Sequence, residues 1–319
     1  MIGSDNPWRM ESAVERAFRK LGHTTLLIDD RRMKRKIGRA LTQRWARWGA
    51  RRFRPDFVFL SKCLALDPAT VIEIIGEKPN AMWYHDPQWH RDLDRPDIAH
   101  IATIGRLART FFVTGFESEW RTHGLNALFL PAAGDAGIHP VAADDKFTSE
   151  VAFIGTGYDR DRAELLVRVA KEKEVRVWGP GWAEWRGPLN WNGQTVEGRD
   201  FAAVCSSSKV VLGINPTRAA GGIGYTSDRT WMVMLAGGFY LTQRTPGVAA
   251  MLQDGEHCAF YDDADSCVAQ CNAYLADSPR RDRIRAAGEK FVRAHHTYDQ
   301  RASNILDDRA FVNPLTDLC

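Results

Sequence analysis

The residues of this 319-residue chain best suited to chemistry lie where glycines and small polar groups meet the start of an apolar helix. In GGIGYTSDRTWMVMLAGGFYLT, residues 221–242, glycines lead into Tyr225, Thr226, Ser227, Asp228, Arg229 and Thr230, and an apolar stretch follows. Glycine lets a backbone come close to a ligand, and the first N–H groups of a helix carry partial positive charge. The hydroxyls of Thr226, Ser227 and Thr230 can donate hydrogen bonds, and Arg229 can fork onto two phosphate oxygens. Such a set suits an anion, and a diphosphate in particular, neutralised without a metal ion. The plainer reading of the same residues is a flexible loop with an ordinary Ser/Thr cap.

Other stretches share this design. FIGTGYDRDR leaves an apolar run at Gly155 and Thr156, VWGPGW leaves one at Gly179, and KVVLGIN ends on Asn215. GTGYDR lacks the third glycine of the dinucleotide fingerprint, and no Gly-Lys-Ser/Thr string argues for a P-loop. In WYHDPQWH, His85 and Asp86 follow another apolar run. Either could take a proton from an acceptor hydroxyl, or the pair could simply form an Asp-Pro turn under aromatic rings. A metal site built on His85, Asp86 and His90 has no further acid–histidine cluster behind it, so no metal is expected.

These groups need elements to hold them. A helix is expected over residues 6–22, capped by Asn6 with Pro7 in its first turn, and another over 67–76, capped by Asp67. Short apolar runs at 24–28, 56–60, 81–85, 110–114 and 127–131 read as strands. Residues 132–150 are small, polar and without periodicity, and read as a boundary. Alternation then restarts, with strands at 150–155, 175–179, 209–215, 238–242 and 258–261. Three helices, near 264–276, 279–294 and 300–310, close the chain. Strands with helices between them imply parallel sheets covered on both faces, with ligands beyond the carboxyl ends of the strands. The fold class is α/β: two Rossmann-like doubly wound domains facing a cleft. The first spans 1–145 and the second 146–298, and 299–319 is a C-terminal helix and tail packing back on the first.

Composition bounds the rest. A 44% hydrophobic content is ordinary for a globular protein, and no apolar run reaches the roughly 18–20 residues that span a bilayer. The first residues lack the pattern of a secretion signal, so a cytoplasmic location is expected. The six cysteines form no Cys-x-x-Cys pair and read as reduced thiols. Residues 31–54 hold eleven Lys/Arg and no acid, with Met33, Ile37, Leu41, Trp45 and Trp48 at helical spacing. This reads as an amphipathic basic helix, either docked with a solvated charged face or set against a polyanion. The polyanion would be an anionic membrane, making the protein peripheral to it, or nucleic acid, although no base-reading motif is present.

The order FIGTGYDRDR, VWGPGW, SDRTWMVMLAGGFYLT, LQDGEHCAFYDD and YLADSPRRDRIRAAGEKFVRAHHTYDQR resembles the glycosyltransferases related to the spore maturation protein CgeB, with a group 1 type C-terminal domain. LGHTTLLID, RPDFVFL, AMWYHDPQW and GLNALFLPAAGD echo the acceptor-side domain of that family, so the resemblance runs over roughly residues 10–312. It implies the GT-B fold and a metal-independent transfer of a sugar from a nucleoside diphosphate donor, of UDP, GDP or dTDP type, to a hydroxyl acceptor. No tightly bound cofactor is implied. By position, Gly155 and Thr156 would line the donor diphosphate and Gly179 would sit near the nucleotide. Arg229 and Thr230 match the family's Arg-Thr-Phe-Glu string, with Gly238 and Thr242 shaping the turn and strand behind it. The next two positions depart from it, with Trp231-Met232 for Phe-Glu. The family glutamate accepts from the donor ribose, which a thioether cannot do well. A related glutamate eight residues earlier is matched by Gly224. Either another group such as Asp228 holds the ribose, or the donor differs, or catalysis is lost. The last would leave a weakened glycosyltransferase-like binding protein. A glycosyltransferase acting on nucleic acid is the further alternative.

Overall fold

The computed structural model describes residues 1–86, 95–215 and 224–313. They form two compact units. The first comprises Met1–Ala132 with the segment from Tyr298 onward, and the second comprises Ala133–Asn215 and Thr226–Thr297.

In the first unit, helices α1 (Met10–Lys20), α2 (Asp30–Phe53), α3 (Pro68–Ile75), α4 (Pro96–Gly105) and α5 (Glu117–Thr122) alternate with strands. The strands are β1 (Val58–Leu60), β2 (Asn80–Tyr84), β3 (Thr110–Val113) and β4 (Ala127–Phe129). They pair in parallel in the order β1-β2-β3-β4. Single parallel bridges from Ile2 to Leu60 and from Ile2 to Ile28 extend the sheet. The expected strand at 24–28 is thus reduced to one bridge at Ile28, and the chain start supplies a bridge that no apolar run announces. Counting these bridges, the order is second, first, third, fourth, fifth, sixth. The chain therefore reverses its winding between Ile2 and β1, and a doubly wound sheet opens its crevice at that point.

Two caps differ from expectation. Asn6 accepts from the Trp8 N–H at 2.9 Å, forming a turn one step before α1, whose own N-cap is Arg9. Asp67 precedes α3 but makes no capping bond, because its carboxylate pairs with Arg39.

The second unit holds β5 (Ser149–Ile154), α6 (Arg160–Ala170), β6 (Val175–Trp178), α7 (Gly198–Ser207), β7 (Ser208–Gly213) and α8 (Asp228–Leu235). After these come β8 (Tyr240–Gln243), α9 (Pro246–Ala249), β9 (Ala259–Tyr261), α10 (Ala264–Ala276) and α11 (Ser278–His295). Its parallel sheet has the order β6-β5-β7-β8-β9, and the winding reverses between β5 and β7. Every residue of β9 and all but one of each of β5, β6, β7 and β8 are buried, as a sheet covered on both faces requires. The last helix, α12 (Tyr298–Leu306), belongs to the first unit. There the fully buried Arg301 donates from Nε to the Pro131 carbonyl at 2.9 Å, and Asp299 pairs with Lys20 at 2.5 Å.

Five cysteines, Cys63, Cys205, Cys258, Cys267 and Cys271, are free and buried. Among the described residues no helix is long and apolar enough to cross a membrane.

Candidate functional site

In the second unit the winding reversal places the ends of β5 and β7 side by side. Gly155 and Thr156 follow β5, and Asn215 lies just beyond β7. The glycines of these loops have steric reasons. A Cβ on Gly155 would stand 2.9 Å from Arg229 Nη2 and 2.9 Å from the Phe153 ring. One on Gly179, at φ +124°, would stand 2.3 Å from the Gly155 carbonyl oxygen. Gly179 therefore lets the loop after β6 close on the loop after β5, and the Trp182 indole N–H locks the contact by donating to the Gly155 carbonyl at 2.9 Å. Beside these loops lies a hollow of about 530 Å³ lined by Gly157, Gly181 and the aromatic side chains of Tyr158 and Trp185.

Two guanidiniums converge here. Arg229 lies 5.0 Å and Arg162 5.4 Å from the centroid of the buried Phe153 ring. Arg162 donates to the Thr156 carbonyl at 2.8 Å, and its Nε is buried without a partner among the described residues. Burial holds the Arg162 guanidinium down to about 10, and the neighbouring Arg229 cation adds to the effect. Among the described residues neither arginine forms an ion pair. Asn215 Nδ2 and Thr226 Oγ1 are buried polar atoms that also lack partners among the described residues. Unpaired cations and idle buried donors are costly, and an anion held at this reversal point would relieve both.

The remaining residues expected around α8 divide into two groups. Ser227 is its N-cap, accepting from the Arg229 N–H at 3.3 Å. Asp228 is exposed and its carboxylate accepts from the same N–H at 2.8 Å. Thr230 instead faces the interior, its hydroxyl 3.2 Å from the Tyr240 hydroxyl. Trp231 is fully buried and stacks on His296, with ring centroids 4.1 Å apart. The aromatic at 231 thus serves the core, and Met232 next to it is half-buried. Tyr225 is half-buried and is grouped with the first unit. Arg162 was missed by sequence reasoning. Its signal is its place in the first turn of the helix after the glycine loop.

The first unit has its own cluster at its reversal point. Glu11, near the start of α1, is buried and accepts from the Ser61 hydroxyl at 2.9 Å. Just past β1, the Cys63 N–H reaches back to the Ser61 carbonyl at 2.5 Å, closing a three-residue turn with Lys62 at φ 54°. Cys63 follows at φ 49°. Two consecutive left-handed non-glycine residues store strain, which a fold retains where it fixes side chains. The turn aims Lys62 at Asp86, with Nζ 2.6 Å from Oδ2. Burial alone would push the Asp86 carboxyl up, but His85 and the Lys62 ammonium outweigh it and hold it below the usual range. Burial would likewise raise Glu11, and His85, Ser61 and Lys62 together bring it below its ordinary value. His85 therefore stands in the field of two carboxylates. Glu11, Ser61 and Lys62 escape sequence reasoning because about fifty residues separate Glu11 from the other two. His90 lies outside the described residues. Among those described, no group of three or more His, Cys, Asp or Glu could hold a metal ion.

The Lys62–Asp86 pair gives a pH-dependent expectation. A carboxyl whose pKa is lowered by folding stabilises the fold above its ordinary range, and that contribution is lost as pH falls through the lowered value. Lys62→Met should therefore reduce the urea midpoint at pH 7, and the deficit should shrink at pH 3.

Residues 160–307 match the family model described as "Glycosyl transferase-like". No curated protein matches the sequence. Solved structures share the fold. The UDP complex of Anabaena HepE superposes with a TM-score of 0.66 at 9% identity, over 96% of this chain and 98% of that one. A glycosyltransferase from Rickettsia africae gives 0.61 at 7% identity, over 97% and 96%. The sucrose-phosphate synthase of Thermosynechococcus elongatus gives 0.61 at 13% identity, over 83% and 75%. The two Rossmann-like units therefore have the GT-B fold, and the glycosyltransferase-like segment covers most of the second unit and continues through α12 of the first.

Proposed function

We propose that the protein is a glycosyltransferase, related to the CgeB group, that moves a sugar from a nucleoside diphosphate donor to a hydroxyl acceptor without a metal ion. The observation carrying this reading is the pair Arg162 and Arg229 beside the ends of β5 and β7, two cations with no carboxylate partner among the described residues. Together they match the charge of a diphosphate. Thr156 and the Ser227 start of α8 add hydrogen-bond donors, and the idle groups of Asn215 and Thr226 would find partners. The hollow beside Tyr158 and Trp185 suits the flat base of the nucleotide.

In the transfer step the acceptor oxygen bonds to the anomeric carbon while the bond from that carbon to the diphosphate breaks. The acceptor proton passes to the base, and the electron pair leaves with the diphosphate. The two arginines then stabilise charge where it develops. His85 is the better candidate base, because its ordinary pKa lies near neutrality. Asp86, held ionised by Lys62, is a weaker proton acceptor and serves with Glu11 to favour the imidazolium that forms.

The reading is tested by thermal unfolding of the intact chain with UDP, GDP and dTDP in turn. A ligand at about a hundred times its Kd adds about 2.7 kcal/mol, a rise of several degrees for units of this size. UDP comes first because structures of Anabaena HepE are described with UDP and UDP-glucose. No rise with any of the three would overturn the donor site. Met232 supports a second reading, in which the fold binds the nucleotide and transfers nothing. Stabilisation without any donor turnover over a panel of sugar nucleotides would select it.

A further inference from the structure

Helix α2 contains a break at Gly38, at φ 78° and ψ 167°. Beyond it, at about 100° per residue, the helix divides into three stripes. Thr42, Gln43, Ala46 and Gly49 face inward and are buried. Leu41 and Trp48 form a second stripe with the partly buried Trp45, and they are 52% and 60% exposed. Arg44, Arg47 and Arg51 form the third. The docked reading of this helix would set its apolar residues against the core; instead small and polar residues pack there, Trp45 joins them only in part, and Leu41 and Trp48 face solvent.

The cations on this helix are largely free of acids. Lys34, Arg35, Lys36, Arg44 and Arg52 form no ion pair among the described residues. Arg47 and Arg51 share one carboxylate, Glu73, at 3.1 and 3.4 Å. With Arg54 and Lys78, and with the carboxylates of Asp56 and Glu73 among them, they line a cavity of about 360 Å³. An apolar stripe with bulky exposed side chains beside a cationic stripe is the pattern of a helix lying in a membrane interface. A polynucleotide would use the arginines and gain little from exposed leucine and tryptophan.

We infer that α2 docks the first unit on an anionic lipid bilayer, with Leu41 and Trp48 entering the acyl boundary and the arginines set among the headgroups. The charge of residues 31–54 complements such a surface, and the cavity between Arg47, Arg54 and Lys78 has room for a phosphate-bearing headgroup. This inference is independent of the donor site.

The test is co-sedimentation of the intact chain with vesicles of phosphatidylcholine containing 30% phosphatidylglycerol, against pure phosphatidylcholine, at 50 and 500 mM salt. Binding is expected only to the anionic vesicles and is expected to fall at least tenfold at high salt. Leu41→Ser/Trp48→Ser and Arg44→Gln/Arg51→Gln should each weaken it about tenfold, with unfolding temperatures unchanged because these side chains are exposed. Absence of binding to anionic vesicles at low salt would overturn the inference. So would binding that the Leu41→Ser/Trp48→Ser variant retains in full and that a DNA duplex displaces, which would identify a polynucleotide surface. A self-associated chain that this variant converts to monomer would instead assign the stripe to a second copy.

Discussion

Replacing Arg229 by alanine is expected to weaken nucleoside diphosphate binding by roughly 10- to 100-fold. Hydrogen bonds to charged groups contribute about 1.5–3 kcal/mol each, and about 1.4 kcal/mol is tenfold in affinity. Arg229→Lys should fall between, because it keeps the charge and loses the fork. Isothermal titration of the UDP complex measures both. The free protein supplies the control. Among the described residues Arg229 has no ion pair to lose, and its cation helps depress Arg162, so the unliganded alanine variant should be no less stable than the parent. A large loss of stability with unchanged affinity would make Arg229 a structural residue and remove the donor site.

The second large effect concerns the first unit. His85→Ala is expected to reduce kcat by about 10²- to 10⁴-fold, the usual contribution of a positioned general base. UDP affinity should stay the same, because the groups proposed to hold the diphosphate lie in the second unit. Glu11→Gln separates catalysis from packing. The amide can still accept from Ser61, so the helix start keeps its hydrogen bond, but the charge acting on His85 is gone. A carboxylate favours the imidazolium, so its loss should lower the His85 pKa and shift the acidic limb of the rate profile towards lower pH. An unmoved profile with a lowered rate would reduce Glu11 to a packing role.

Much of this architecture could be read from the chain, and the failures share a cause. Runs such as DFVFL and KVVLGIN announce buried strands because a sheet covered on both faces needs unbroken apolar residues. The glycine loops announce the ends of β5 and β6, because side chains there would collide with the neighbouring backbone. Local pattern fails where partners are distant. Nothing near Glu11 points to Ser61 or His85, which parallel crossovers bring to it. Thr230 looked like a donor to ligand by its position at a helix start, but the turn of α8 directs it to Tyr240. Leu41 and Trp48 follow helical periodicity, which records amphipathicity without saying which stripe faces inward. Arg162 sits among other charged residues in DRDRAELL, and only the fold picks it out by setting it against Phe153.

The division of the chain bears on how it is made. The second unit is built mainly from Ala133–Asn215 and Thr226–Thr297, and the first is completed by α12. On the ribosome, the half translated first must therefore wait for the half translated last. Until residue 301 emerges, the Pro131 carbonyl lacks its guanidinium and α1 lacks the helix that bears Asp299. Synthesis stopped at Thr297 would leave the second unit with all its strands and the first as an open sandwich, a ready substrate for proteases and chaperones.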